Sequence, residues 1–299
     1  MLDVKNDLDD IIKLSIKLKQ QSKTGTKIEH LKGKTLAMLF EKPSTRTRIS
    51  FETGMNLLGG HAIFLSTNDI QLGRGESIED TALVLSRYVD MIMYRAKSNE
   101  AMRELAKHAT VPVINGLDNK EHPCQVITDL MTILEHKGRL KGLQFTYLGD
   151  GNNNMAHSYL LGCGIVGMNI RIVAPKQYWP DTYYVTEAKK FGINAEVTDT
   201  PKNSTKDADV IATDTWVSMG DEKEKETRVQ QFKGYTVDSA LMSEAKTDAI
   251  FLHCLPAYYG YEVTKDVAYG SQSVIFDEAE NRMWAQIGIM VKFYRDMFP

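Results

Sequence analysis

The feature that most limits what this chain can become is a regular alternation of short apolar runs with helix-spaced stretches, which plays through once and then starts again. Residues 5–20 place Leu8, Ile11, Ile12 and Leu18 at helical spacing. Residues 34–40 (KTLAMLF) form a short apolar run that ends at Glu41-Lys42-Pro43, as a strand running into a turn does. A helix is expected from Ser44 toward Gly59, with Ile49, Met55 and Leu58 on its apolar side. Strand-like runs follow at 62–65, 91–94 and 111–114, with helical stretches between them. After Glu135-His136-Lys137-Gly138 the pattern restarts: strand at 144–148, helix at 155–166, strand at 169–174, then strands at 210–213, 236–238 and 250–253. Residues 280–298 carry Met283, Trp284, Ile287, Met290, Val291 and Tyr294 on one helix face. Such alternation is the mark of parallel α/β sheets. Its restart predicts two of them, joined near residue 135.

Bulk properties narrow the function. The chain has 299 residues, enough for two domains. Its 42% hydrophobic and 25% charged residues are ordinary for a globular protein. A net charge of −3 gives no global attraction for nucleic acid or for a membrane surface. Any anionic ligand must be caught by local charge. Cys124, Cys163 and Cys254 are few, scattered and outside any CxxC, which predicts reduced thiols. The first residues mix charges where a signal peptide would be apolar, and no apolar run approaches the roughly 18 residues of a membrane span. A cytoplasmic protein is expected.

Four segments carry the chemistry. At the first, Ser44-Thr45-Arg46-Thr47-Arg48 opens a helix. A helix N-terminus has unpaired N–H groups and the positive end of the helix dipole, so it attracts anions. Ser44 and Thr45 can cap that end, while Arg46 and Arg48 offer planar donors that match phosphate oxygens. The local pattern fits a capped helix with two surface arginines equally well. Next, Gly149-Asp150-Gly151-Asn152-Asn153-Asn154 stands between a strand and a helix, like a dinucleotide loop. Asn154 occupies the place of the third glycine, however, and no acid ends the following strand to hold a ribose. His122-Pro123-Cys124-Gln125 precedes a helix, and its His and Gln can donate to an oxyanion or a carbonyl. His253-Cys254 ends a strand. Neighbours on a strand point to opposite faces, so a Cys–His nucleophilic pair is not expected there, and neither HExxH nor paired CxxC is present for zinc.

Five segments, in order, resemble the aspartate/ornithine carbamoyltransferase family: Ser44-Thr45-Arg46-Thr47-Arg48, His122-Pro123-x-Gln125, residues 214–220, His253-Cys254-Leu255-Pro256 and Asp277-Glu278-Ala279-Glu280-Asn281-Arg282. The likeness spans nearly the whole chain. It implies an α/β fold of two doubly wound parallel-sheet domains linked by helices. Residues 1–134 with 280–299 would form a carbamoyl-phosphate domain, to which the C-terminal helix returns, and 135–279 an amino-acid domain. By the same resemblance, Ser44, Thr45, Arg46 and Thr47 hold phosphate. Arg95 bridges phosphate and carbamoyl oxygen, and His122, Gln125 and Arg282 bind the carbamoyl end. Gln71, in Gln71-Leu72-Gly73-Arg74-Gly75-Glu76-Ser77, reaches a neighbouring subunit's site in a trimer, where the local reading is a plain glycine-rich loop. Arg95, His122, Cys254 and Arg282 are the expected catalytic group, with no metal or organic cofactor.

For the acceptor, the resemblance assigns Asp214, Ser218, Met219, Cys254 and the Leu255 carbonyl, with Asn154 toward a carboxylate. The 150–154 segment has one asparagine more than many relatives, and Asn154 is chosen because it directly precedes Met155. The Leu255–Pro256 bond is expected to be cis. Ser218-Met219-Gly220 together with Cys254 favours ornithine over putrescine or another amine. A non-catalytic binding protein of the same fold is the other alternative. The segment Ala257-Tyr258-Tyr259-Gly260-Tyr261 is aromatic where many ornithine enzymes are more basic.

Overall fold

The computed structural model describes residues 1–68, 70–217 and 225–298. The order of elements is α1 (Leu8–Lys23), β1 (Thr35–Phe40), α2 (Thr45–Leu57), β2 (His61–Ser66), α3 (Ile78–Leu85), β3 (Met91–Arg95), α4 (Asn99–His108), β4 (Val113–Leu117) and α5 (Pro123–Lys137). Then come β5 (Gln144–Leu148), α6 (Asn154–Val166), β6 (Asn169–Val173), α7 (Thr182–Lys190), β7 (Ala195–Thr198), β8 (Val210–Thr213), α8 (Lys225–Gln231), α9 (Ser239–Glu244), β9 (Ile250–His253), α10 (Lys265–Ala268) and α11 (Ile275–Met297). The chain divides into two compact units. One holds Asn6–Met131 with Asn281–Pro299; the other holds Met1–Lys5 with Thr132–Glu280.

In the first unit four parallel strands take the order β2-β1-β3-β4. Strands β1 and β3 are central and buried along nearly their whole length, which is why they read as unbroken apolar runs. Ala37, Leu39, Ile92 and Tyr94 pack with Ala82, Met102 and Leu105 of the following helices. From Asn281 onward α11 belongs to this unit. It approaches α1 closely at Gly288, where a Cβ would lie 3.1 Å from the Ile11 carbonyl oxygen. In α2, Met55 and Leu58 are buried as expected, but Ile49 is 56% exposed, so the apolar face of this helix is narrower than its spacing suggested.

The second unit has five parallel strands in the order β7-β6-β5-β8-β9. Its core joins Leu148, Ile211 and Phe251 of the sheet to Trp216, Phe232 and Val237. Both sheets are doubly wound. The strand order reverses between β1 and β3 in one and between β5 and β8 in the other, and ligands bind at such switch points beyond the carboxyl ends of the strands.

The structure departs from the sequence reading at four points. The strand expected at 236–238 is only an isolated bridge, Val237 to Val263, away from the sheet. Strand β7 gave no sequence signal, because it is an edge strand with Glu196 exposed and only Ala195 buried. The run at 111–114 becomes Val113–Leu117: Pro112 lacks an amide hydrogen, and the strand starts after it and continues through Asn115-Gly116. The terminal helix begins at Ile275, five residues earlier than its apolar face indicated.

Candidate functional site

Each unit places most of its candidate residues just past the carboxyl ends of its strands, with Arg282 added from α11. In the first unit, β1 ends at Phe40 and α2 starts at Thr45. Ser44 caps α2 from an extended conformation, its Oγ accepting from the Thr47 amide at 3.3 Å and donating to Thr47 Oγ1 at 3.0 Å. Arg46 is partly buried beside this cap. Arg48 is turned to other work. Its Nε donates to Glu52 Oε1 at 3.0 Å, and its guanidinium carbon lies 3.9 Å from the centre of the Phe64 ring. Local pattern treated the two arginines alike; the structure separates them.

Arg95 is the last residue of β3 and is 5% exposed. His122, Gln125 and Arg282 are as deeply buried. Arg282 donates from Nε to Gln125 Oε1 at 2.7 Å, with its Nη2 on the same oxygen. Gln125 Nε2 donates to Asp129 Oδ1 at 2.8 Å. That chain of bonds fixes the amide with its carbonyl toward Arg282, so Gln125 orients the arginine. Burial holds the His122 imidazole well below its ordinary pKa, and the positive charges of Arg282 and Arg95 push it further down. His122 is therefore neutral and retains one N–H to donate.

The loop that delivers His122 is set by Asp118, which the sequence reading missed. Asp118 is fully buried. Its Oδ1 accepts from the amides of Lys120 and Glu121, and its Oδ2 accepts from the side chains of Asn99 and Asn115 at 2.8 Å each. The available signal was an Asx-turn residue in Leu117-Asp118-Asn119. Gln71 is exposed at the start of a short 3-10 turn, Gln71–Arg74.

In the second unit Asp214 follows β8 and Cys254 follows β9, the neighbouring strand. The Cys254 thiol donates to Asp214 Oδ1 at 3.3 Å, and the Thr215 amide donates to the same oxygen at 2.8 Å. Burial raises the Asp214 carboxyl above the usual range, opposed by His253, by the Thr215 amide and by the Cys254 thiol. His253 is almost fully buried. Its Nδ1 accepts from the Leu255 amide at 2.9 Å, so its Nε2 carries the hydrogen and donates to Glu262 Oε1 at 3.2 Å. Glu262, also missed from sequence, accepts from the Tyr258 amide as well. These bonds shape the turn in which Leu255 has φ +56° and the Leu255–Pro256 bond is cis, as expected.

On β5's side, Asn153 is the N-cap of α6. Its Oδ1 accepts from the Ala156 amide at 2.8 Å, and its Nδ2 donates to the Tyr147 hydroxyl at 3.1 Å. Asn154 is the first helical residue and is partly exposed. Ser218 and Met219 lie outside the described residues. Thr215, Trp216, Tyr258, Tyr261 and Glu262 line a cavity of about 140 Å³, so part of the aromatic 257–261 segment forms its wall.

Among the described residues, two groups bring possible metal-ligand atoms within 4.8 Å of one another: Asp214, His253 and Cys254, and Glu79, Glu104 and His108. His253 and Cys254 are closer than strand alternation suggested, because Cys254 sits just past the strand's end. Both ring nitrogens of each histidine are already engaged, so an ion has to displace one of those contacts.

Comparison with known proteins also divides the chain in two. Residues 2–135 match the carbamoyl-P binding domain of aspartate/ornithine carbamoyltransferases, and residues 141–293 match the Asp/Orn binding domain of that family. The chain is 52% identical over 291 residues to an ornithine carbamoyltransferase of Caldicellulosiruptor saccharolyticus, covering 96% of this chain and 94% of the relative. It is 52% identical over 294 residues to one from Picrophilus torridus, covering 97% and 96%. Among solved structures, the ornithine carbamoyltransferase of Pyrococcus furiosus superposes with a TM-score of 0.92 at 46% identity, covering 96% of this chain and 92% of that one.

Proposed function

This chain belongs to the aspartate/ornithine carbamoyltransferase family, and from that premise we propose that it transfers the carbamoyl group of carbamoyl phosphate to the δ-amine of L-ornithine, yielding L-citrulline and phosphate. The observation that carries the acceptor reading is the Cys254 thiol on the Asp214 carboxylate at 3.3 Å. An alkylammonium needs an anion to bind it and a neighbouring polar group to guide its proton away. Relatives about 50% identical over nearly their full length bear the same activity in their names.

We place the donor side in residues 1–134 with 280–299. Ser44, Thr45, Arg46 and Thr47 grip phosphate at the start of α2, helped by Gln71 from a neighbouring subunit. Arg95 spans phosphate and carbamoyl oxygen, while His122, Gln125 and Arg282 attend the carbamoyl group. Residues 135–279 take the amino acid: Asp214 and Ser218 bind its amino group, Met219 completes the grip through its backbone, and Asn154 faces the carboxylate. Cys254 and the Leu255 carbonyl receive the δ-amine.

A free alkylammonium has a pKa near ~10.4 and must lose a proton before it attacks. Its nitrogen then bonds the carbamoyl carbon, and negative charge grows on the carbonyl oxygen. Arg95, Arg282 and the neutral His122 N–H stabilise that charge where it develops. The adduct loses a second proton as the carbon–oxygen bond to phosphate breaks, and the electron pair leaves with phosphate. Cys254 orients the amine and assists its deprotonation; it forms no covalent intermediate. The working unit is a homotrimer or a multiple of it, in the cytoplasm. Among the described residues no helix is long and apolar enough to cross a membrane.

The test is to supply carbamoyl phosphate with ornithine, putrescine, aspartate or N-acetylornithine in parallel and to measure the ureido product. Ornithine alone should give product efficiently. Product only with putrescine would overturn the acceptor assignment, and no product with any amine would leave a binding protein.

A further inference from the structure

We infer that Arg228 is a positioning residue for the acceptor. It lies on α8 and joins three loops at the carboxyl edge of the second sheet. Its Nη1 donates to Asp150 Oδ2 at 2.7 Å, in the loop after β5, and to the Trp216 carbonyl at 3.2 Å, in the loop after β8. Its guanidinium carbon lies 5.0 Å from the centre of the Tyr178 ring, in the loop after β6. Strands β6, β5 and β8 are consecutive in the sheet, so a single side chain spans three adjacent strand ends.

The joint is buried and braced. The side chains of Arg228 and Asp150 are 11% and 6% exposed. Burial raises the Asp150 carboxyl, and Arg228 is the chief influence holding it down. Asp150 Oδ1 in turn accepts from the Asn152 amide at 2.9 Å. The Tyr178 hydroxyl donates to Gln231 Oε1 at 2.6 Å, and Phe232 stacks on Trp216 with ring centres 5.4 Å apart. At Gly151 the first loop comes so near Tyr178 that a Cβ would lie 2.7 Å from its carbonyl oxygen.

Two of the joined loops carry the acceptor groups: Asn153 and Asn154 follow Asp150, and Asp214 precedes Trp216 by two residues. Arg228 sets the spacing between Asn154, which faces the carboxylate, and Asp214, which binds the amino group. This rests on the ornithine reading above. A buried ion pair serving only stability would lower the melting temperature and leave the balance between substrates unchanged. A positioning role predicts an acceptor-specific defect.

The experiment compares Arg228→Ala, Arg228→Lys and the neutral pair Asp150→Asn/Arg228→Gln, the last guarding against a buried unpaired carboxylate that prevents folding. In Arg228→Ala, KM for ornithine should rise at least tenfold, while KM for carbamoyl phosphate stays within twofold and kcat at saturating ornithine within threefold. Arg228→Lys should fall between, since lysine restores charge without the planar stack on Tyr178. Amide exchange at Asn152 and Val217 should quicken together in the alanine variant and in the neutral pair. Equal change in both KM values, no change in either, or unaltered exchange in these loops would overturn the inference. A wild-type protein that makes no citrulline would sink the functional reading instead, and the exchange measurement would still judge the joint.

Discussion

The candidate sites of the two units occupy the same place in the same kind of sheet and carry opposite chemistry. In the first unit the site presents Arg95, neutral His122 and, from α11, Arg282, with Gln125 holding Arg282 in place. In the second the strand ends present a carboxylate, Asp214, with a thiol bonded to it. A doubly wound sheet therefore supplies a location, and the residues around its strand ends supply the function. The first site is preassembled through buried side-chain bonds and suits an anion. The second is tied mainly through backbone amides and suits a cation.

The largest effect expected on this contrast is in the first unit's site. Replacing Arg95 by Ala should lower kcat/KM about 10³-fold, as loss of a preorganised donor to a developing oxyanion does. The fold should survive, which far-UV circular dichroism checks. A loss under tenfold would mean that the cationic cluster is not where charge develops. In the second unit's site, Cys254→Ala should cost about 10²-fold in kcat with the protein intact. Cys254→Ser should recover part of it, because a hydroxyl also donates to Asp214. Complete loss in the serine variant would instead indicate covalent chemistry at sulfur.

The contrast extends to pH, where burial acts on the two sites with opposite sign. His122 has its pKa depressed in the folded protein. The unfolded chain therefore binds the extra proton first, and stability is lost as pH falls through the ordinary imidazole value of about 6.5. Asp214 has its pKa raised. The stability it contributes is present below the ordinary carboxylate value and is lost as pH rises through its elevated one. His122→Asn should flatten the fall in melting temperature between pH 7.5 and 5.5. Asp214→Asn should raise the melting temperature at pH 7.5 by roughly 2–4 °C while abolishing ornithine use. If both variants melt like the wild type across this range, burial is not what tunes the two groups.

Much of this was legible beforehand, for a physical reason. Parallel central strands are buried on both faces, so 34–40, 91–94, 144–148 and 210–213 stood out as apolar runs. The edge strand β7 has nothing to bury on one side and stayed silent. Ser44 was visible because capping is a local property of side chain and backbone. Asp118, Glu262 and Tyr147 were not, since each acts through partners that the chain brings together only on folding. The orientation of Gln125 was hidden for the same reason: its amide is set by Arg282, 157 residues away.

The smallest expected effect makes the most selective test, because it lies inside one motif. Arg46 and Arg48 are two residues apart and chemically identical, and the local pattern gave them one role, although the family resemblance assigned phosphate to Arg46 alone. Arg48 instead pairs with Glu52 on its own helix, with both side chains more than a third exposed, and lies over Phe64. An exposed pair of this kind contributes under about 1 kcal/mol, with about 0.5–1 kcal/mol more from the ring contact. Arg48→Ala should therefore leave kcat/KM for carbamoyl phosphate within about threefold of wild type and lower the melting temperature by a few degrees, whereas Arg46→Ala should cripple use of that substrate in a protein that still folds. Equal damage from both substitutions would mean that Arg48 leaves Glu52 when phosphate binds and that the anion site is wider than the unliganded arrangement. Equal tolerance of both would remove the start of α2 from the site altogether, leaving the anion to Arg95 and Arg282.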